Sequence, residues 1–317
     1  MEPTSIMSLV ERVPDEASAY LLLEEMRWGD TPVCPHCGSE RVYFLNPANG
    51  ATRKTTRGTM SPRRVWKCGA CRKQFSVTTG TIFHGTKIPL RKWILVVFEM
   101  CASKNGVAAR EIERKYDLTN KSAWYMLHRI REAMQQQPMM GLLSGDVVAD
   151  ETWIGGAPKN KHGKGPGKGS TDKQPVVSLV DVRTGEVRSQ VVPNVTSRTI
   201  GRVIEEHVDM VNTVLHTDSA PVYRTIAPLM AGHQTTNHFL GEYVGRTGST
   251  TNRAEGFFSQ LKRSLDGTHH HVSVEHLHRY LGEFDYRYNT CKLSDGQRMA
   301  HLMGRTKRRL SLYPTGY

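Results

Sequence analysis

The sequence predicts a mixed α/β chain of more than one domain, and three observations carry that prediction. Two CxxC pairs separated by 30 residues mark a β-rich metal-binding ribbon. Apolar residues at helical spacing then run from Pro89 to Met134. From Val147 onward strand-like and helix-like runs alternate, with carboxylates inside the strands. A chain of 317 residues, 38% of them hydrophobic, is long enough to bury several cores.

Charge narrows the partners. Lys and Arg number 43 against 30 Asp and Glu, a formal excess of +13. Residues 31–135 alone carry 19 basic and 6 acidic side chains, whereas residues 1–30 carry 2 and 7. A basic block of that size is an electrostatic footprint for phosphates, because each neutralised phosphate releases condensed counterions. No run approaches the roughly 18 apolar residues of a spanning helix, and Met1-Glu2-Pro3-Thr4 opens no secretory signal. The expectation is a cytoplasmic protein without a membrane partner.

Cys34-Pro35-His36-Cys37 and Cys68-Gly69-Ala70-Cys71 supply four thiolates, the tetrahedral set that Zn²⁺ prefers. His36 is read as a spectator, and a redox role is the weaker alternative because neither pair sits at a βα junction. Gly38 and Gly69 suit the tight turns of the two knuckles. Strand-like runs at Arg41–Leu45 and Gln74–Val77, with Val65-Trp66-Lys67 leading into the second pair, complete a zinc ribbon over residues 31–86. Before it lies an N-terminal helical segment, 1–30.

Residues 87–136 read as a helix-turn-helix. Leu90, Trp93, Ile94, Val97 and Phe98 make one apolar face. A second helix runs from about Val107 to Tyr116, and after Asp117-Leu118-Thr119 either Thr119 or Asn120 caps a third. That third helix is expected to turn Ala123, Trp124, Leu127 and Ile130 inward. Lys121, Ser122, His128, Arg129 and Arg131 would then face outward, toward a major groove.

In the third module, Val147–Ile154 is a strand with Asp150 in its middle, and Glu151 points to the opposite face. Pro175–Val182 and Glu186–Val192 form a hairpin, Ser197–Val211 a helix, and Thr213–Asp218 a fourth strand ending on a carboxylate. Thr251–Leu265 is a late helix with Glu255 near its start. Three strands, a helix, a strand, then helices is the order of the ribonuclease-H-like fold, in which acids from those three elements meet. Asp150, Asp218 and Glu255 fall on them, with 67 and 36 residues between them. A carboxylate in a buried strand is costly unless paired or metal-bound. Mg²⁺ is held by such groups, and two ions about 4 Å apart stabilise both oxygens of an in-line phosphoryl displacement. Lys159 to Lys173, rich in Gly and Lys, reads as a mobile loop. His269, His270 and His271 are read as structural or close to DNA, and Tyr280, Phe284 and Tyr288 as core.

The blocks CPHCGS, WKCGACRKQFSVTTGTIF, DETWIGG, HTDSAPVY, TNRAEGFFSQLKRSL and HHHVSVEHLHRYLGEFDYRYN resemble a bacterial insertion-sequence transposase of the DDE superfamily, in the ISXO-like group with an N-terminal zinc ribbon. The resemblance covers about residues 20 to 290. It implies a retroviral-integrase-type catalytic domain over 145–292, followed by a basic tail, 293–317. It implies Asp150 and Asp218 as catalytic aspartates, a third residue in the NRAEGFFSQLK block, and Lys262, with Arg263 beside it, on the end DNA. Part of the group carries asparagine at the third position. Here Asn252 and Glu255 share a helical face, and Glu255 is preferred, with Asn252 auxiliary, because a carboxylate binds Mg²⁺ or Mn²⁺ better than an amide does. The implied partners are terminal inverted repeats, target DNA and at least a second copy of the chain. A DNA-binding regulator with a silent α/β domain and a junction-type nuclease remain as alternatives.

Overall fold

A computed structural model describes residues 5–45, 53–54, 60–61, 63–135, 141–155, 173–218, 220–236, 252–270 and 272–304. The Gly/Lys-rich stretch 159–172 and the last part of the basic tail lie outside them. The chain divides into two compact units. One gathers the chain up to Ser103, Val107–Met134 and the segment from Lys292; the other comprises Lys104–Gly106 and Gln135–Cys291.

The first unit begins with α1 (Ile6–Arg12) and α2 (Glu16–Trp28), capped by Ser5 and Asp15, whose side chains accept the amides three residues on. Helix α2 is the roof of the ribbon rather than a separate segment. Its Trp28 meets Trp66 and Phe75 edge to face at 5.8 and 5.9 Å, and its Glu24 accepts from Arg64 Nε at 2.7 Å and Trp66 Nε1 at 2.8 Å. The ribbon sheet is antiparallel, with β1 (Val42–Phe44) beside β4 (Trp66–Cys68) and β4 beside β5 (Gln74–Phe75). A small hairpin, β2 (Arg53–Lys54) with β3 (Met60–Ser61), lies in the insert between the knuckles.

Helices α3 (Leu90–Ala102), α4 (Ala109–Tyr116) and α5 (Asn120–Gln135) follow. Pro89 provides no capping side chain for α3. Glu16 reaches across from α2 instead, accepting the amides of Leu90 at 2.6 Å and Arg91 at 2.9 Å. A carboxylate at a helix N-terminus satisfies orphan donors and meets the positive end of the dipole. Glu16→Ala is therefore expected to lower the stability of this unit by about 1 kcal/mol, read as a shift in its urea midpoint, with no change in bound zinc. The unit closes with α9 (Asp295–Gly304), which packs on α2 and α3. Met299, Leu302 and Met303 are fully buried, and Arg298 Nη1 donates to the Cys101 carbonyl at 3.0 Å. Part of the segment read as a basic tail is thus an ordered, half-apolar helix.

The second unit is a five-stranded sheet with helices on both faces. Its strands are β6 (Leu143–Ile154), β7 (Gln174–Asp181), β8 (Val187–Val191), β9 (Val208–Asp218) and β10 (Gly232–Thr236), in the order β10-β9-β6-β7-β8. Strands β6, β7 and β8 are antiparallel neighbours. After α6 (Ser197–His207), β9 returns parallel to β6, and β10 parallel to β9. Alternation along the strands sorts the two faces. Val147, Ala149, Val177, Leu179 and Leu215 pack with α6, whereas Val148, Val176 and Val180 pack with α7 (Asn252–Ser264) and α8 (Val274–Asn289). Tyr280 and Phe284 are in that second core. The outer edge of β8 is covered by α8: Asp285 accepts the Ser189 amide at 2.7 Å, and Asn289 accepts the Val187 amide at 2.7 Å and donates to its carbonyl at 2.8 Å. An i, i+4 pair thereby seals an edge that would otherwise present unpaired backbone.

Candidate metal centre and active site

The ribbon brings its four cysteines together. Sγ atoms of Cys34 and Cys71 are 3.7 Å apart, those of Cys37 and Cys68 3.6 Å, and all four lie within 4.8 Å of one another. Zn–S bonds of about 2.3 Å at tetrahedral angles require sulfurs about 3.8 Å apart, so the donors fit Zn²⁺ in number, softness and spacing. The knuckles repeat one geometry. The amide of each first cysteine donates to the carbonyl five residues on (Cys34 to Ser39, Cys68 to Lys73, both 3.0 Å). The residue after each second cysteine donates back: Gly38 to Cys34 at 2.9 Å and Arg72 to Cys68 at 3.1 Å. That residue is left-handed in both, with φ +74° at Gly38 and +62° at Arg72.

Gly69, expected to serve the second turn, has another reason to be glycine. It donates to the Arg41 carbonyl at 2.6 Å, and a Cβ would stand 3.2 Å from that oxygen. Arg72 carries the left-handed strain that glycine carries in the first knuckle. Arg72→Gly is expected to stabilise the ribbon by about 0.5 kcal/mol, the left-handed penalty less the added chain entropy, measured as a higher midpoint for zinc release in denaturant. The amides of Cys71 and Ala70 point at the Cys68 sulfur and draw its thiol down to about 6, toward the thiolate that binds metal.

In the second unit the register decides the carboxylates. Val147 pairs with Leu215 and Val148 with His216. Two residues beyond that last pair, on the same two neighbouring parallel strands, come Asp150 and Asp218. Asp150 shares the parity of Val148, which packs under α7, and Asp218 the parity of His216, whose Nε2 lies 2.7 Å from Asp146 on the same face. Each aspartate has one oxygen anchored: Asp150 Oδ1 accepts the Glu151 amide at 2.8 Å, and Asp218 Oδ1 the Ala220 amide at 3.0 Å.

Glu151 turns to the other face, as alternation requires, and receives the hydroxyl of buried Tyr223. Burial raises the Glu151 carboxyl to about 7, and the charges of Asp150 and Asp218 add to the rise. A chain of contacts runs on from Tyr223 to His233 (rings 6.5 Å apart), to Thr217 Oγ1 at 2.8 Å, and so to the Asp218 carbonyl at 2.7 Å.

Glu255 is in the first turn of α7, on the same face of the sheet, where Ala254, Phe257, Phe258 and Leu261 are buried and Glu255 is exposed. The structure does not draw its carboxylate into a tight cluster with the aspartates. Among the described residues the four cysteines are the one set of three or more His, Cys, Asp or Glu ligand atoms within 4.8 Å of each other. Asn252 opens α7, and its side chain lies outside the described residues. Lys262 and Arg263 are exposed in the last turn of α7, with Arg263 Nε donating to the Ser259 carbonyl at 3.2 Å. His269 packs against Tyr280 and Phe284, while His271 lies outside the described residues.

The helix-turn-helix requires a correction. Thr119 caps α5, accepting the Ser122 amide at 3.2 Å, and Asp117 ends α4 in a left-handed conformation. Lys121 is exposed and Ser122 partly so. Arg129, expected on the outer face, is 2% exposed: its guanidinium lies over the rings of Trp93 and Tyr125 and donates to the His84 carbonyl at 3.1 Å. A cation so placed positions helices and is not presented to DNA. His128 and Arg131 are buried as well, whereas Trp124, expected inside, is 37% exposed. An Arg can satisfy its charge on ring faces and carbonyls, so its polarity did not fix its side of the helix.

Sheet order, antiparallel first hairpin and parallel return make the second unit a ribonuclease-H-like domain behind a zinc ribbon. Residues 142–289 match the ISXO2-like transposase domain, and residues 14–74 the transposase zinc-ribbon domain. The chain thus carries both the zinc-ribbon domain and the ISXO2-like DDE domain of transposases. It is 26% identical over 296 residues, 89% of this chain and 93% of the relative, to an uncharacterized protein in transposable element ISH50 of Halobacterium salinarum. Two solved structures are distantly similar. One is the catalytic core domain of BIV integrase (16% identity, 44% of this chain, 81% of that chain, TM-score 0.31). The other is a simian T-cell lymphotropic virus intasome in complex with PP2A regulatory subunit B56 gamma (14%, 55%, 63%, TM-score 0.29). No helix among the described residues is long and apolar enough to cross a membrane.

Proposed function

We propose that the chain binds the terminal inverted repeats of its own insertion sequence and catalyses cleavage and strand transfer at those ends. The observation that carries this reading is the alignment of Asp150 and Asp218 on neighbouring parallel strands, on the face that α7 covers. Asp150, Asp218 and Glu255, with Asn252 beside them, would hold Mg²⁺ or Mn²⁺, which when bound stabilises the attacking and leaving oxygens of an in-line displacement. The backbone amides of Glu151 and Ala220 fix the direction of the two aspartates, and Tyr223 holds Glu151 beneath them. Lys262 and Arg263 supply charge for phosphates of the end DNA, and Lys121 and Ser122 stand at the start of α5 for the repeat itself. Water would first open a phosphodiester, leaving a 3′-hydroxyl on one side and a 5′-phosphate on the other. That 3′-hydroxyl would then attack a phosphodiester of target DNA, joining to its phosphorus as the target's own 3′-oxygen leaves and takes up a proton. Two ends must be handled together, so a homodimer or larger assembly is part of the proposal.

The test is incubation with labelled ends of the element, with and without Mg²⁺, scored for free 3′-hydroxyls and joined products. Binding without cleavage would reduce the chain to a regulator. Cleavage of branched DNA without joining would make it a junction nuclease.

A further inference from the structure

A concave site in the second unit is used by these assignments only through Lys262. Trp153 lies on β6 three residues beyond Asp150, roughly 10 Å along the strand, and is 49% exposed. With Lys173, Lys262, Leu265, Asp266 and His270 it lines a cavity of about 300 Å³. The lining is specific in kind. A large π surface beside an aliphatic side chain accepts a flat ring. Two ammonium groups and an imidazole accept a phosphate. One carboxylate accepts N–H groups from the edge of a heterocycle. A base inside a duplex offers neither of its faces, so an indole can stack only on a base that has left its pair. The volume is at the small end of ligand sites and suits one nucleotide.

We infer that this cavity binds a single unpaired nucleotide of the DNA being processed. Its base stacks on Trp153, its phosphate lies on Lys262 and Lys173, and an N–H of the base donates to Asp266. The cavity lies off the end of β6, where Ile154 and Gly155 also line it. Alternation turns Trp153 away from the Asp150 side chain, so the captured base lies beyond the scissile phosphate, on the order of 10 Å along the strand. This inference rests on the reading that the chain acts on DNA ends. A free nucleotide offers the same chemistry, and the experiment separates the two.

Full-length protein in Ca²⁺ is titrated into two end duplexes labelled with 2-aminopurine, one fully paired and one with the label unpaired near the cleavage position. The unpaired duplex is expected to bind about 5- to 150-fold more tightly, the range of one base stacked on an aromatic ring, with fluorescence quenched by the indole. Trp153→Ala should bring the ratio to about one without weakening binding of the paired duplex, and Trp153→Phe should keep most of it. A Trp153→Ala variant that retains the wild-type ratio overturns the inference, as does free dAMP binding as tightly as the unpaired duplex. Wild-type protein that binds both duplexes equally defeats the cavity assignment and leaves the DNA-end reading standing. Protein that binds neither defeats both.

Discussion

Asp150→Asn is expected to slow Mg²⁺-dependent cleavage of element ends by about 10³-fold, the several kcal/mol that a metal-held charge contributes to an in-line displacement. The amide keeps the shape of the side chain and can still accept from the Glu151 backbone, so binding of end DNA in Ca²⁺ should change little. Metal-free stability should rise slightly, because the substitution removes one of the charges that press on Glu151. Asp218→Asn should behave alike, since the register makes the two positions equivalent across β6 and β9. Glu151→Gln, one residue away on the opposite face, is the control and should cost far less cleavage. Single-turnover rates of the three variants decide the matter. Asp150→Asn cleaving at the wild-type rate, or Glu151→Gln failing as badly as Asp150→Asn, would remove the aspartate pair from the chemistry.

Zinc removal is expected to unfold the ribbon. Beyond its cysteines, the cluster at its centre has Phe75 fully inside, with Trp28, Val42 and Trp66 only partly covered. That is too little apolar burial to hold strands of two and three residues. Metal binding is then folding free energy, of the order of 10 kcal/mol for structural zinc sites. Cys68→Ser, or chelation, should release one zinc per chain, red-shift the emission of Trp28 and Trp66 and abolish end binding. The second unit should keep its own melting transition. A zinc-free protein with an unchanged tryptophan spectrum would contradict this account.

What the sequence made legible follows from how local each signal is. The CxxC spacing fixed the metal set because each knuckle is a closed turn whose geometry needs no distant partner. The two aspartates stood out because an Asp inside an apolar strand is a conflict visible in one dimension, and strand alternation then separated Asp150 from Glu151. Strand β10 was missed for the opposite reason: Gly232-His233-Gln234-Thr235-Thr236 has no apolar run, and its place comes from parallel pairing with β9. The buried face of α5 was misread because Arg129 is neutralised by rings and a carbonyl from residues 35 or more positions away, as well as by its own helix. Glu16 as a cap for α3 was likewise invisible, since the partners are 74 residues apart.

The return of α9 to α2 and α3 has a consequence for vectorial synthesis. The polypeptide that builds the first unit is interrupted by the whole second unit, so a growing chain has every residue of the sheet before it has the last helix of the ribbon-bearing part. Residues 135–291 can finish folding while the nascent chain is attached, whereas the apolar side of α3 waits for Met299, Leu302 and Met303 to emerge. The unit that holds the zinc ribbon therefore completes its core only after the second unit has been synthesised.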